Sequence, residues 1–248
     1  MPLEGTSSSD RPPAHSAAEV IVALDYRDPE SAFELVRRLP AETWVKVGLE
    51  LYTRGGPPVV RRLVDEGRQV FLDLKLHDIP NTVAGATRAA ASMGVRLLTV
   101  HASGGEQMLR AASEAARAEN ERSGGSTRLL AITVLTSLDD ASLAAVMGTG
   151  ADVEPTVGRL AGLARESGID GVVSSVNECR AVKLACGPDF LVVTPGIRLA
   201  GQAVQDQKRV ATPAVARAAG ADFLVVGRSI TRAEDPAAVL ERIRAELS

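Results

Sequence analysis

Residues 71–80 read FLDLKLHDIP, and Asp73, Lys75, His77 and Asp78 bring two carboxylates, an amine and an imidazole within six residues. On an extended segment residues two apart project to one side, so Asp73 and Lys75 are neighbours. Phe71 shares that side, while Val70, Leu72 and Leu74 face the other. Burying an uncompensated charge costs several kcal/mol, comparable with the whole net stability of a domain, about 5–15 kcal/mol. An apolar run that accepts this must pair its charges. Two readings stay open for an Asp-x-Lys alone: an internal ion pair that plugs a core, or a charged reaction centre. In the second, a lysine set among carboxylates is a standing positive charge and proton donor. A Schiff-base nucleophile would need the free amine instead.

The elements that must position these groups follow from hydrophobic periodicity. Short apolar, β-branched runs recur at VIVAL (20–24), WVKVG (44–48), QVFLDLK (69–75) and VRLLTV (95–100). Four more follow at RLLAITVLT (128–136), IDGVVSS (169–175), DFLVVTP (189–195) and DFLVVG (222–227). Ala-, Leu- and Arg-rich segments with helical spacing separate them, such as PESAFELVRRLP, NTVAGATRAAASMG and PAVARAAGA. Several of these stop at a glycine: Gly67, Gly94, Gly168 and Gly220. Eight strands alternating with helices predict parallel pairing with right-handed crossovers, and their number predicts a closed (β/α)8 barrel of the TIM type in a single domain. No GxGxxG follows the first run, which argues against an open dinucleotide-binding sheet.

Such a barrel carries its active site at the C-terminal strand ends. Strand one ends in Asp25, strand two carries Lys46, and strand three carries Asp73 and Lys75, so three consecutive strands deliver charge to one rim. The loops after strands seven and eight are the usual phosphate grip of this architecture. Here they read TPGIRLAGQAVQDQKR and VVGRSI. Arg198 and Arg228 supply forked donors, Gly227 allows close backbone approach, and the amides from Arg228 to Ile230 are predicted to open a short helix. The polar stretch from Leu199 to Lys208 is read as a closing lid.

Composition sets limits. The 248 residues carry 28 basic and 31 acidic side chains and only 3% aromatics, which argues against nucleic acid as a partner. No apolar stretch is long enough to span a bilayer and no signal peptide opens the chain, so no membrane partner is expected and the location is read as cytoplasmic. Cys179 and Cys186 are read as free structural thiols, and three scattered histidines (His15, His77, His101) offer no metal cluster. His77 and His101 are read as structural, and Trp44 as packing at the start of strand two. Residues 1–18, rich in Ser, Pro and Ala, are read as a disordered tail, leaving residues 19–248 for the barrel.

Taken together, DLKLHDIPNTV (73–83) with ALDY, VKVG, LTS, TPGIR, DQKRV and VVGRSI, in that order, resembles the orotidine 5′-monophosphate decarboxylase family from about Val20 to Pro236. The resemblance implies decarboxylation of orotidine 5′-monophosphate to UMP in pyrimidine synthesis, with no metal and no cofactor. It implies that Asp25 and Lys46 bind the ribose hydroxyls, with Lys46 also in a charge array, and that Asp73 and Lys75 face the carboxylate and C6 of the pyrimidine. It implies a homodimer in which Asp78, Ile79 and Thr82 enter the neighbouring subunit's site. Thr136 would contact the substrate, and Arg198, Gln207, Gly227 and Arg228 would hold the phosphate. Gln202 and Gln205 compete with Gln207, which the DQKRV pattern favours. A rival with the same fold resembles Mg2+-dependent sugar-phosphate enzymes sharing the Asp-x-Lys-x-x-Asp strand. Those place an acidic ligand on strand two, where this chain has Lys46. A non-catalytic nucleotide-binding barrel is the other alternative.

Overall fold

The structure, a computed structural model, describes residues 18–148, 150–199 and 211–247. Eight strands form a closed parallel barrel in chain order: β1 (Glu19–Ala23), β2 (Trp44–Gly48), β3 (Gln69–Leu76), β4 (Leu97–His101), β5 (Arg128–Ile132), β6 (Gly171–Val173), β7 (Leu191–Thr194) and β8 (Phe223–Val226). Strand β8 closes on β1 through Val20↔Leu224 and Ile21↔Val225. Helices α1 (Pro29–Arg37), α2 (Leu49–Asp65), α3 (Pro80–Ala91) and α4 (Gly105–Ser123) follow the first four strands. Next come α5 (Asp140–Met147), α6 (Val153–Glu166), α7 (Val176–Cys186), α8 (Pro213–Ala218), α9 (Arg228–Thr231) and α10 (Pro236–Glu246). The alternation read from the sequence is therefore a (β/α)8 barrel. Of the expected tail, only Ala18 lies within the described residues.

Local chemistry starts and stops the helices. Asp28 accepts from the Ser31 amide at 2.9 Å ahead of Pro29 in α1, and Asp235 accepts from Ala238 at 3.0 Å ahead of Pro236 in α10. Ser175 and Glu178 form a reciprocal capping box on α7. The four glycines expected to end helices all have positive φ: 79° at Gly67, 82° at Gly94, 80° at Gly168 and 97° at Gly220.

Most strands are buried on both faces, as the inside of a parallel barrel requires. Val20, Val22, Val70, Leu72, Leu98 and Val100 face the helices. Ile21, Phe71, Leu97, Leu130, Val193 and Phe223 fill the interior. Trp44 packs edge-on against Phe223 with ring centroids 4.9 Å apart, so aromatic rings plug the N-terminal end, as read for Trp44. Cys179 and Cys186 are free and buried, and burial pushes both thiols upward in pKa. Among the described residues no helix is long and apolar enough to cross a membrane. Several strands are shorter than their apolar runs, β5 among them. β5 ends at Ile132, and the apolar residue beyond it, Val134, is buried as packing in a loop rather than as strand.

Candidate active site

Above the apolar interior, at the C-terminal strand ends, a cavity of about 340 Å³ opens. Its floor is apolar, made by Ala23, Phe71, Ile132, Val173 and Val225. Its walls carry Asp25, Lys46, Asp73, Lys75, Thr136, Arg198, Gly227 and Arg228, all singled out from the sequence. Thr136 reaches it from the loop after β5 rather than from the strand itself.

The charges form an alternating chain. The Lys46 ammonium stands 3.3 Å from Asp25 Oδ1 and 3.8 Å from Asp73 Oδ2. The Lys75 ammonium lies 2.8 Å from both Asp73 oxygens. Asp25, Lys46, Asp73 and Lys75 thus sum to zero formal charge, which is how an apolar barrel tolerates them. The middle of the chain is the driest part: Lys46 and Asp73 are each 13% exposed, against 67% for Asp25. Gly48 contributes by what it lacks. A Cβ there would sit 3.1 Å from Lys46 Nζ, so glycine at the end of VKVG leaves room for the ammonium.

Plain strand alternation does not explain how Lys75 is aimed. Phe71 and Leu72 pair with Leu97 and Leu98, but the next pairing is Leu76 with Val100, so four steps along β3 match two along β4. The strand bulges at Asp73–Lys75, and among the described residues Lys75 is the one non-glycine with positive φ, 53°. A left-handed lysine costs about 1–3 kcal/mol and persists only where its surroundings enforce it. Bulges of this kind re-aim side chains at active sites. Thr99, on the neighbouring strand and fully buried, accepts from the Lys75 amide at 2.8 Å and donates to Asp73 Oδ1 at 3.0 Å. Sequence reasoning passed over Thr99. Its only signal was a hydroxyl at an inward position of an otherwise apolar strand.

On the phosphate side, Ile197 bridges to Ala211 and the Arg198 amide donates to the Ala211 carbonyl at 3.0 Å, which anchors Arg198 beside the cavity. The buried Nε of Arg198 has no hydrogen-bond partner among the described residues. An orphaned guanidinium N–H on a cavity wall suits an anionic ligand. Gly227 precedes the short helix α9, which begins at Arg228 as expected. Gln202, Gln205, Gln207 and all of the lid but Leu199 lie outside the described residues.

Asp78, Ile79 and Thr82 stand apart from this cavity. All three are exposed, Asp78 and Ile79 on the segment joining β3 to α3 and Thr82 in the first turn of α3, with Ile79 67% exposed, and none lines the cavity of its own chain. The Asp78 carboxylate accepts from the Ile79 amide at 2.6 Å. His77 and His101 pack ring against ring, centroids 5.2 Å apart, beside the array and off the cavity wall.

The profile of the Orotidine 5′-phosphate decarboxylase / HUMPS family matches residues 18–243. The chain belongs to that family. It is 50% identical over 235 residues to the orotidine 5′-phosphate decarboxylase of Moorella thermoacetica, covering 94% of this chain and 93% of that one. It is 53% identical over 230 residues to the enzyme of the same name from Halorhodospira halophila, covering 92% and 95%. The crystal structure of orotidine 5′-phosphate decarboxylase from Lactobacillus acidophilus superposes with a TM-score of 0.84 at 39% identity, covering 93% of this chain and 99% of that one. In this family member the DLKLHDIPNTV stretch runs from the bulged end of β3 into α3.

The burial of His101 makes stability depend on pH. The His101 imidazole is held below its ordinary 6.5, first by burial and then by electrostatic repulsion from nearby His77 and Lys75, with Asp73 pulling the other way. The unfolded chain therefore takes up a proton where the folded chain resists it. Stability is full above pH 6.5 and falls as pH drops toward the lower folded value. Urea midpoints measured between about pH 8 and about pH 5 should fall with acidity, and fall less steeply in His101→Asn. An unchanged slope in that variant contradicts the assignment.

Proposed function

We propose that this chain decarboxylates orotidine 5′-monophosphate to UMP and CO2, without metal or cofactor, with Lys75 as proton donor in a Lys46–Asp73–Lys75–Asp78 array. The observation that carries the reading is the ammonium of Lys75 held 2.8 Å from Asp73 on the wall of an apolar-floored cavity, which is also lined by Arg198, whose buried Nε has no partner among the described residues. Asp25 and Lys46 take the ribose hydroxyls. Thr136 contacts the substrate, and Arg198, Gly227, Arg228 and Gln207 take the phosphate.

The C6–carboxylate bond breaks, its electron pair stays on C6, and CO2 leaves. No imine stands next to that carbon to accept the pair. Enzymes lower barriers by about 8–23 kcal/mol, and a localised carbanion demands the upper part of that range. A positive charge already in place where negative charge develops supplies this with little reorganisation. Lys75 Nζ then gives its proton to C6 to form UMP, and the amine recovers a proton from solvent. Asp73 holds Lys75 in place and sits against the substrate carboxylate, a contact relieved as neutral CO2 departs. Phosphate binding, remote from C6, offsets that strain. The Mg2+-dependent reading is weakened by the donor set itself, since ammonium groups occupy both sides of Asp73.

The working unit is residues 19–248 as one domain, in the cytoplasm and paired as a homodimer. Asp78, Ile79 and Thr82 are exposed where β3 runs into α3 and lie off the cavity of their own chain, which leaves them free to reach a neighbouring subunit. Asp78, Ile79 and Thr82 then complete the neighbour's site.

Purified protein should convert orotidine 5′-monophosphate to UMP at full rate in excess EDTA, and Lys75→Ala should lose about 10⁴-fold or more in kcat. Orotidine lacking the phosphate should lose turnover as well as affinity. Loss of activity in EDTA, or equal turnover of both substrates, contradicts this reading. Mixing Lys75→Ala with Asp78→Ala chains should restore one working site per heterodimer. An exchanged mixture that stays inactive rules out shared sites.

A further inference from the structure

The bulge at the end of β3 leaves the Lys75 backbone without a place in the β3–β4 ladder, since pairing stops at Leu72 and resumes at Leu76. A buried amide that loses its ladder partner must find another or carry an uncompensated desolvation penalty. The partner it finds is the hydroxyl of Thr99. That hydroxyl has one proton, and its oxygen already accepts from the amide, so the proton is available for Asp73 Oδ1 at 3.0 Å. A carboxylate can only accept, so the relay has one sense: Lys75 N–H to Thr99 Oγ1, and Thr99 O–H to Asp73. The hydroxyl thus fixes at once the backbone of the lysine and the carboxylate its ammonium touches. Thr99 is 0% exposed and does not line the cavity, so neither water nor substrate can take its place.

We infer that Thr99 is a positioning residue. Its single hydroxyl locks the left-handed backbone of Lys75 to the carboxylate of Asp73 and so sets where the ammonium stands. This deepens the proposed decarboxylation and, for its kinetic consequences, rests on that reading. The structural consequence does not.

The test uses full-length Thr99→Val, which keeps the shape and removes the hydroxyl, and Thr99→Ser, which keeps the hydroxyl. In crystal structures of the unliganded proteins, Thr99→Val should shift Lys75 out of its left-handed conformation or move its Nζ off Asp73, while Thr99→Ser should superpose on wild type. With orotidine 5′-monophosphate, Thr99→Val should lose about 10²-fold in kcat, as for an ångström-scale misplacement, with UMP affinity unchanged. Thr99→Ser should recover most of that loss. If Thr99→Val does not fold, Thr99→Cys, which weakens both bonds, is compared in the same way. Asp73 and Lys75 unmoved in the variant, or wild-type kcat, overturns the inference. A wild-type protein that does not turn over the nucleotide overturns the proposed reaction instead, and the crystallographic comparison still decides the role of Thr99.

Discussion

The Asp73 carboxylate is the point on which the site depends. It touches the Lys75 ammonium with both oxygens, faces Lys46 at 3.8 Å, and accepts from the Thr99 hydroxyl. Removing an anion from such a setting would strand two ammonium groups in a region that is mostly dry, and that is far costlier than never having placed them there. The four-residue chain from Asp25 to Lys75 therefore stands or falls as a unit. Its neutrality in sum lets it sit above an apolar floor, and its alternation holds each charge in place.

The barrel supplies what the charges cannot. Parallel strands buried on both faces give a rigid rim, and aromatic packing of Trp44 on Phe223 fills the opposite end. Side chains from β2 and β3, Asp25 two residues past β1, and the loops after β5, β7 and β8 then meet over one floor. A bulge, rather than regular pleating, turns Lys75 to its place. Family membership agrees with this arrangement, since the relatives match along almost the whole barrel rather than at isolated motifs.

Most of the fold was legible because hydrophobic runs, glycine stops and capping residues act locally. Phe71 inward and Leu72 outward followed from period two alone. The charged rim was legible because an ionisable side chain in an apolar run is conspicuous. Two features were not. The bulge leaves no mark in DLKL, since nothing in those four letters says that four residues will span the room of two; only the neighbouring strand reveals it. Thr99 was hidden for a related reason, because a threonine in a strand is ordinary until its hydroxyl is seen to serve another strand's backbone. The overlong reading of strand five had a simpler cause, as a buried loop residue such as Val134 is as apolar as strand.

The proposed chemistry places a positive charge beside C6 before the bond breaks. A crystal structure with bound UMP measures this most directly. The Lys75 Nζ should lie within hydrogen-bonding or van der Waals reach of pyrimidine C6, with Asp73 still holding it and the phosphate against Arg198 and Arg228. A Lys75 side chain turned out to solvent, away from the ring, would contradict the electrostatic basis of the proposed reaction.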